Sequence, residues 1–150
     1  MNRKTFLTIA SVIGLLISLF GMLAPEVFLA NVKMAAPNAT AIVMGRTACV
    51  FLFSISLMAF LVRDHEDSPT LEAFLTANLI MQLGIMPVDP LAYLNGVFST
   101  YWSFVPNTIV HILLAGGFAY YLVKLKKARR TSLQNKSQTV FLETGKSQGI

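Results

Sequence analysis

Three residues of types that bind or orient polar molecules lie inside otherwise apolar stretches: Arg46, Gln82 and His111. Arg46 comes about five residues into its stretch, which at about 1.5 Å per helical residue is roughly 8 Å from the end of a span. Gln82 and His111 lie at about the same depth in theirs. A charge held there in a membrane costs at least a few kcal/mol unless something meets it, so Arg46 is a candidate anchor for an anionic or polar ligand. Gln82 and His111 would orient that ligand by hydrogen bonds. Asn78, Gln82 and Asp89 share one stripe, because offsets of four and seven return to the same helix face. The expected ligand site is a small outward-opening cavity with Arg46, Gln82, His111 and Asn78 in its wall and Glu26 and Asp89 at its rim. The plain alternative has Arg46 reaching the headgroups or pairing with Glu26 or Asp89, while Asn78, Gln82 and His111 merely bond between helices.

Other chemistry is poorly provided for. His111 has no nucleophile or second base in view, so no catalytic residue is assigned. His65 lies in the Arg63–Pro69 loop, toward the opposite face from His111, so the two cannot ligate one metal or haem within a chain. Asp64-His65-Glu66-Asp67 reads as a solvated charged loop rather than a cation site. Cys49 is the sole cysteine, which rules out an internal disulfide or a CxxC redox pair. No glycine-rich phosphate loop or nucleophile motif is present, and neither cofactor nor metal is expected.

The elements that must position these residues are set by composition. A chain that is 55% hydrophobic and 13% charged is too apolar for an ordinary soluble domain. Between Phe6 and Val62 the charged residues are Glu26, Lys33 and Arg46, and between Ala73 and Val123 there is Asp89 alone. Four apolar runs result, near Phe6–Ala24, Ala41–Val62, Leu71–Val88 and Pro106–Val123. Each has about the length a helix needs to cross roughly 30 Å of hydrocarbon. Runs this long without period-two alternation must be helices, since lipid offers the backbone no partners. Pro25, Pro37, Pro69, Pro87, Pro90 and Pro106 fall at the proposed ends, where a proline does least harm. The first run exceeds a signal-peptide core, and Pro25 would be a poor residue after a cleavage point, so it is read as a retained span.

The expected fold is therefore an all-α, four-transmembrane-helix antiparallel bundle over residues 1–124, followed by a basic cytoplasmic tail, 125–150, without regular structure. Arg3, Lys4, Arg63, Lys124, Lys126, Lys127, Arg129 and Arg130 flank the spans on one side, against Lys33 on the other, which places both termini in the cytoplasm. The basic run after Val123 reads as a topology anchor at lipid headgroups, not a nucleic-acid patch. Asp89–Val105, with Tyr93, Phe98, Tyr101, Trp102 and Phe104, suits the headgroup level. Asn38-Ala39-Thr40 matches a glycosylation acceptor but sits against the second span.

Small residues mark where helices can approach closely: Ser11, Gly14, Ser18 and Gly21 on the first, Ala73 and Ala77 on the third, and Ala115-Gly116-Gly117 with Ala119 on the fourth. These are expected to be packing seams within the bundle. The segment Ala24-Pro25-Glu26-Val27-Phe28-Leu29-Ala30-Asn31 also parallels Val88-Asp89-Pro90-Leu91-Ala92-Tyr93-Leu94-Asn95, a hint that two similar hairpins make up the chain.

The order of these features resembles the small bacterial four-helix membrane proteins of the DoxX-like type. The first span ends in Gly21-Met22-Leu23-Ala24-Pro25-Glu26, Arg46 comes early in the second, which ends at Arg63-Asp64, and a short fourth span carries His111. The likeness covers Phe6–Lys124 and implies a bacterial inner-membrane protein; some such relatives are associated with quinone-linked or sulfur oxidation complexes. The size also suits glutathione-linked membrane transferases, whose Arg- and Asn-rich second-helix pattern is absent. Three functional classes follow. The first is a non-enzymatic small-ligand or lipid binder, or an accessory subunit of a membrane complex. The second is an oligomeric transporter or channel, for which the inner halves near Leu61 and Leu122 lack a polar path. The third is a quinone-linked redox subunit that would have to rely on His111 and Arg46.

Overall fold

The structure, a computed structural model, describes residues 1–31 and 38–147; Lys33 and Pro37 lie outside the described residues. The elements are α1 (Arg3–Leu23), α2 (Pro25–Asn31), α3 (Ala39–Leu61), α4 (Pro69–Ile85), α5 (Val88–Leu94), a 3-10 turn at Tyr101–Ser103, and α6 (Val105–Ser147). Arg3–Leu23, Ala39–Leu61, Pro69–Leu94 and Val105–Ser132 are long and apolar enough to cross a membrane.

Local sequence sets the helix starts. The side-chain oxygens of Asn2, Asn38 and Ser68 accept from the backbone N–H of Thr5, Ala41 and Leu71, at 2.7, 2.9 and 3.2 Å, which satisfies amides that have no partner in a first turn. Pro69 then occupies the first position of α4, where its missing N–H costs nothing. Asn38, the asparagine of the glycosylation pattern, is thus the cap of α3.

Two element ends differ from the sequence reading. α4 stops at Ile85, short of Val88, because Pro87 and Pro90 have no N–H to extend the ladder; Asp89 consequently sits in the first turn of α5 instead of on the Asn78–Gln82 stripe. At the other end, the 125–150 segment, expected to lack regular structure, continues α6 as helical backbone to Ser147. Between Gly117 and Gly145 there is neither glycine nor proline, and Leu, Lys, Arg, Ala and Gln extend a helix readily once its apolar half has nucleated it.

Packing divides the bundle into two hairpins. α1 runs along α3, and α4 along α6. In the first hairpin the small residues do what their spacing predicts: a Cβ built on Gly14 would lie 2.1 Å from Ser56 Oγ, and one on Gly21 would lie 2.3 Å from Cys49 Sγ. Ser11 and Ser18 are fully buried in this seam and return their hydroxyls to the Thr8 and Leu15 carbonyls at 2.9 and 3.0 Å. The short α2 folds back on the same pair, with Phe28 edge-on to Phe20 at 5.9 Å and Leu29 buried against Gly45.

The hairpins are joined near one end by a cluster drawn from all four long helices: Phe6 and Leu7 of α1, Ala59 of α3, Leu71, Phe74 and Leu75 of α4, and Phe118, Tyr121, Leu122 and Leu125 of α6. Phe6 meets Phe118 edge-on at 5.1 Å and Tyr121 at 5.2 Å, and the bare Gly117 makes room for its ring. The Tyr121 hydroxyl donates to the Met1 carbonyl at 2.7 Å. Beyond this cluster lies a basic end laced with ion pairs. Arg3 holds Asp67 and donates to the His65 carbonyl, and Lys4 lies 2.7 Å from Asp64. The Lys4 ammonium, hydrogen-bonded to Asp64, keeps that carboxyl below its ordinary value. The charged loop is therefore a latch for the start of α1.

Candidate functional site

Gln82 and His111 are the one pair among the six expected site residues joined by a hydrogen bond. They face each other across the α4–α6 seam, where His111 Nδ1 donates to Gln82 Oε1 at 2.5 Å. Gln82 is 5% exposed and His111 half-buried. Asn78, one turn along α4 and 6% exposed, donates to the Phe74 carbonyl at 2.9 Å. Asp89 accepts from Asn107 Nδ2 at 2.7 Å, closing the α5–α6 corner.

Arg46 and Glu26 stand apart. Both are exposed, and neither has a hydrogen-bond or ion-pair partner among the described residues. Arg46 belongs to the eighth position of α3, next to Gly45 and so close to α2, and its side chain turns out of the bundle. The expected convergence of Arg46 with Gln82 and His111 on one cavity is not formed, and Arg46 pairs with neither Glu26 nor Asp89. The reason is that α3 gives its close-approach face to α1 through Cys49, Ser56 and Ala59, and Arg46 falls off that face. The depth of Arg46 along its span was readable from sequence; its direction around the α3 axis was not.

The Gln82–His111 contact should behave as a packing clamp. Gln82→Leu and His111→Leu are each expected to lower stability by about 1 kcal/mol, and the double variant to cost less than the sum because the orphaned partner is gone. Unfolding of the four proteins in one detergent measures the coupling, and strict additivity would remove the clamp.

The sequence reading missed a second polar group. Glu72, near the start of α4, receives Arg129 Nη1 at 2.5 Å and lies 3.5 Å from Lys126 Nζ, both from α6. Its signal was present: Glu72 is the last acid before an uncharged run that reaches Asp89, and its partners lie in the basic run after Val123. Beside it, Ala73 and Ala77 are exposed, not in a seam as expected, because the larger Leu71, Phe74 and Leu75 with Asn78 and Gln82 take the buried face of α4. Together with Pro69, Thr76, Ile80 and Arg129 they border a surface groove of about 520 Å³.

Comparison of the chain with protein families, with curated proteins and with solved structures gives no match.

Proposed function

We propose that this protein is a non-enzymatic, multi-pass membrane protein of the bacterial inner membrane, with both ends in the cytoplasm, that serves as an accessory subunit of a larger membrane complex. One observation carries the reading: Arg46 lies within a span, turned outward, and has no partner among the described residues. A guanidinium at that depth is stabilised by an opposite charge, and no side chain described here supplies it. An acidic group on a neighbouring subunit would. Asn78, Gln82 and His111 support the same reading, because each is engaged in a hydrogen bond within the chain. The orientation is supported by the gathering of Arg3, Lys4, Lys126 and Arg129 at one end of the bundle. The bacterial inner-membrane part of the reading is supported by the DoxX-like resemblance of Phe6–Lys124.

The test is the size of the native particle in mild detergent. Arg46→Glu should release the chain from its complex while the isolated chain keeps its unfolding temperature, and Arg46→Lys should retain part of the complex. A wild-type particle that already runs as the single chain, or a complex indifferent to Arg46→Glu, would sink the subunit reading.

A further inference from the structure

The groove beside α4 combines two features that a phospholipid also combines. Its floor is apolar and shallow, made by Ala73, Ala77 and Ile80, while the Thr76 hydroxyl is turned away to the Glu72 carbonyl at 2.8 Å and leaves its methyl for the wall. Its charged groups are all at one end, where Glu72 and Arg129 stand with Lys126 beside them. From Glu72 to Ile80 is eight residues of helix, about 12 Å at about 1.5 Å per residue. That is room for the upper part of an acyl chain below a headgroup.

The charge at the rim does not cancel. One carboxylate faces two cations, Arg129 at 2.5 Å and Lys126 at 3.5 Å, which leaves a net positive charge. Arg129 spends one N–H on Glu72 and keeps further donors, and its side chain and that of Lys126 remain 35% and 49% exposed. A phosphodiester accepts from such a pair of donors. The geometry points to this groove as the seat of one glycerophospholipid with an anionic headgroup, its phosphate on Arg129 and Lys126 and an acyl chain along Ala73 and Ala77. A partner helix fits less well. It would have to carry its backbone past Glu72, Arg129 and Lys126, stripping water from three charges, whereas a headgroup leaves them wet and adds the missing negative charge. The inference does not depend on Arg46, which lies at the other end of the bundle.

Native mass spectrometry of the full chain, loaded with phosphatidylglycerol or phosphatidylcholine of matched acyl chains, tests it. The wild type should hold one phosphatidylglycerol in preference to phosphatidylcholine. Arg129→Gln and Lys126→Gln should each cut the phosphatidylglycerol affinity roughly fivefold and leave phosphatidylcholine unchanged, the size of one basic residue beside an anionic headgroup. Glu72→Gln should raise phosphatidylglycerol retention, because it removes the competing carboxylate. Ala77→Leu, which fills the floor, should weaken both lipids, and Ala73→Val is the milder alternative if that variant does not fold. Equal binding of the two lipids, or a Glu72→Gln variant that binds less, would overturn the proposal, since Glu72 would then only tie α4 to α6. So would an Ala77→Leu variant that keeps its lipid but changes the association of copies, which would make the groove a seat for a helix.

Discussion

A leucine at position 14 should cost about 3 kcal/mol and loosen α1 from α3. Even a methyl group there would lie 2.1 Å from Ser56 Oγ and 3.1 Å from Ser56 Cβ, and the second atom is fixed by the α3 backbone. The hydroxyl can turn aside for an alanine, but no rotamer of Ser56 moves its Cβ, so a leucine must push the helices apart. Overpacking of a close interface typically costs about 1–3 kcal/mol, and in lipid the lost van der Waals contact is most of what held the helices together. The matched control is Gly116→Leu on α6, where nothing lies within 4 Å of the added Cβ. Unfolding of both variants in the same detergent should show a large loss for the first and little for the second; equal behaviour would show that the α1–α3 seam does not hold the hairpin.

The second large effect is expected at Phe6. Its ring touches Phe118 and Tyr121 on α6 and lies over Gly117, so it is a central contact of α1 with the second hairpin. Phe6→Ala should cost about 3 kcal/mol, near the lower end of the usual range for deleting a buried phenyl ring, because a lipid environment removes much of the transfer contribution and leaves the dispersion loss. The loss should have a particular character: the hairpins should separate before either unpacks, visible as earlier protease access to the Arg63–Pro69 connection than to α1–α3. Phe51→Ala, at a residue 65% exposed, should stay within about 0.5 kcal/mol. A Phe6→Ala protein as stable as the Phe51→Ala one would mean that the hairpins are joined elsewhere.

The four spans were legible because their signal is one-dimensional. Apolar runs bounded by prolines and polar caps place α1 and α3 within a few residues of the expected bounds. The first seam was legible too, since Gly14, Ser18 and Gly21 could have little use other than close approach. What failed was the direction of side chains around α3 and of the two alanines around α4. α3 is apolar on all sides, so nothing in its pattern says that Cys49 faces α1 and Arg46 does not. Ala73 and Ala77 have the spacing of a seam yet lie outward, because bulk on the opposite face of α4 fills the core better. Of the expected site, the Gln82–His111 contact was present as a shared depth, and its partners differed because Asp89 left the α4 axis at Pro87.

The pairing of α1 with α3 and of α4 with α6, each with a seven-residue helix, α2 or α5, following its first member, bears on how the chain is made. Nearly everything the first hairpin needs is encoded before Arg63, so its glycine seam can close while the second half is still being synthesised. The second hairpin can then dock on a formed neighbour, seating Leu71, Phe74, Leu75, Phe118 and Tyr121 against Phe6, Leu7 and Ala59. The chain's layout thus suits insertion as two hairpins followed by docking, with the ion pairs of Arg3 and Lys4 to Asp67 and Asp64 able to hold the first hairpin's ends together.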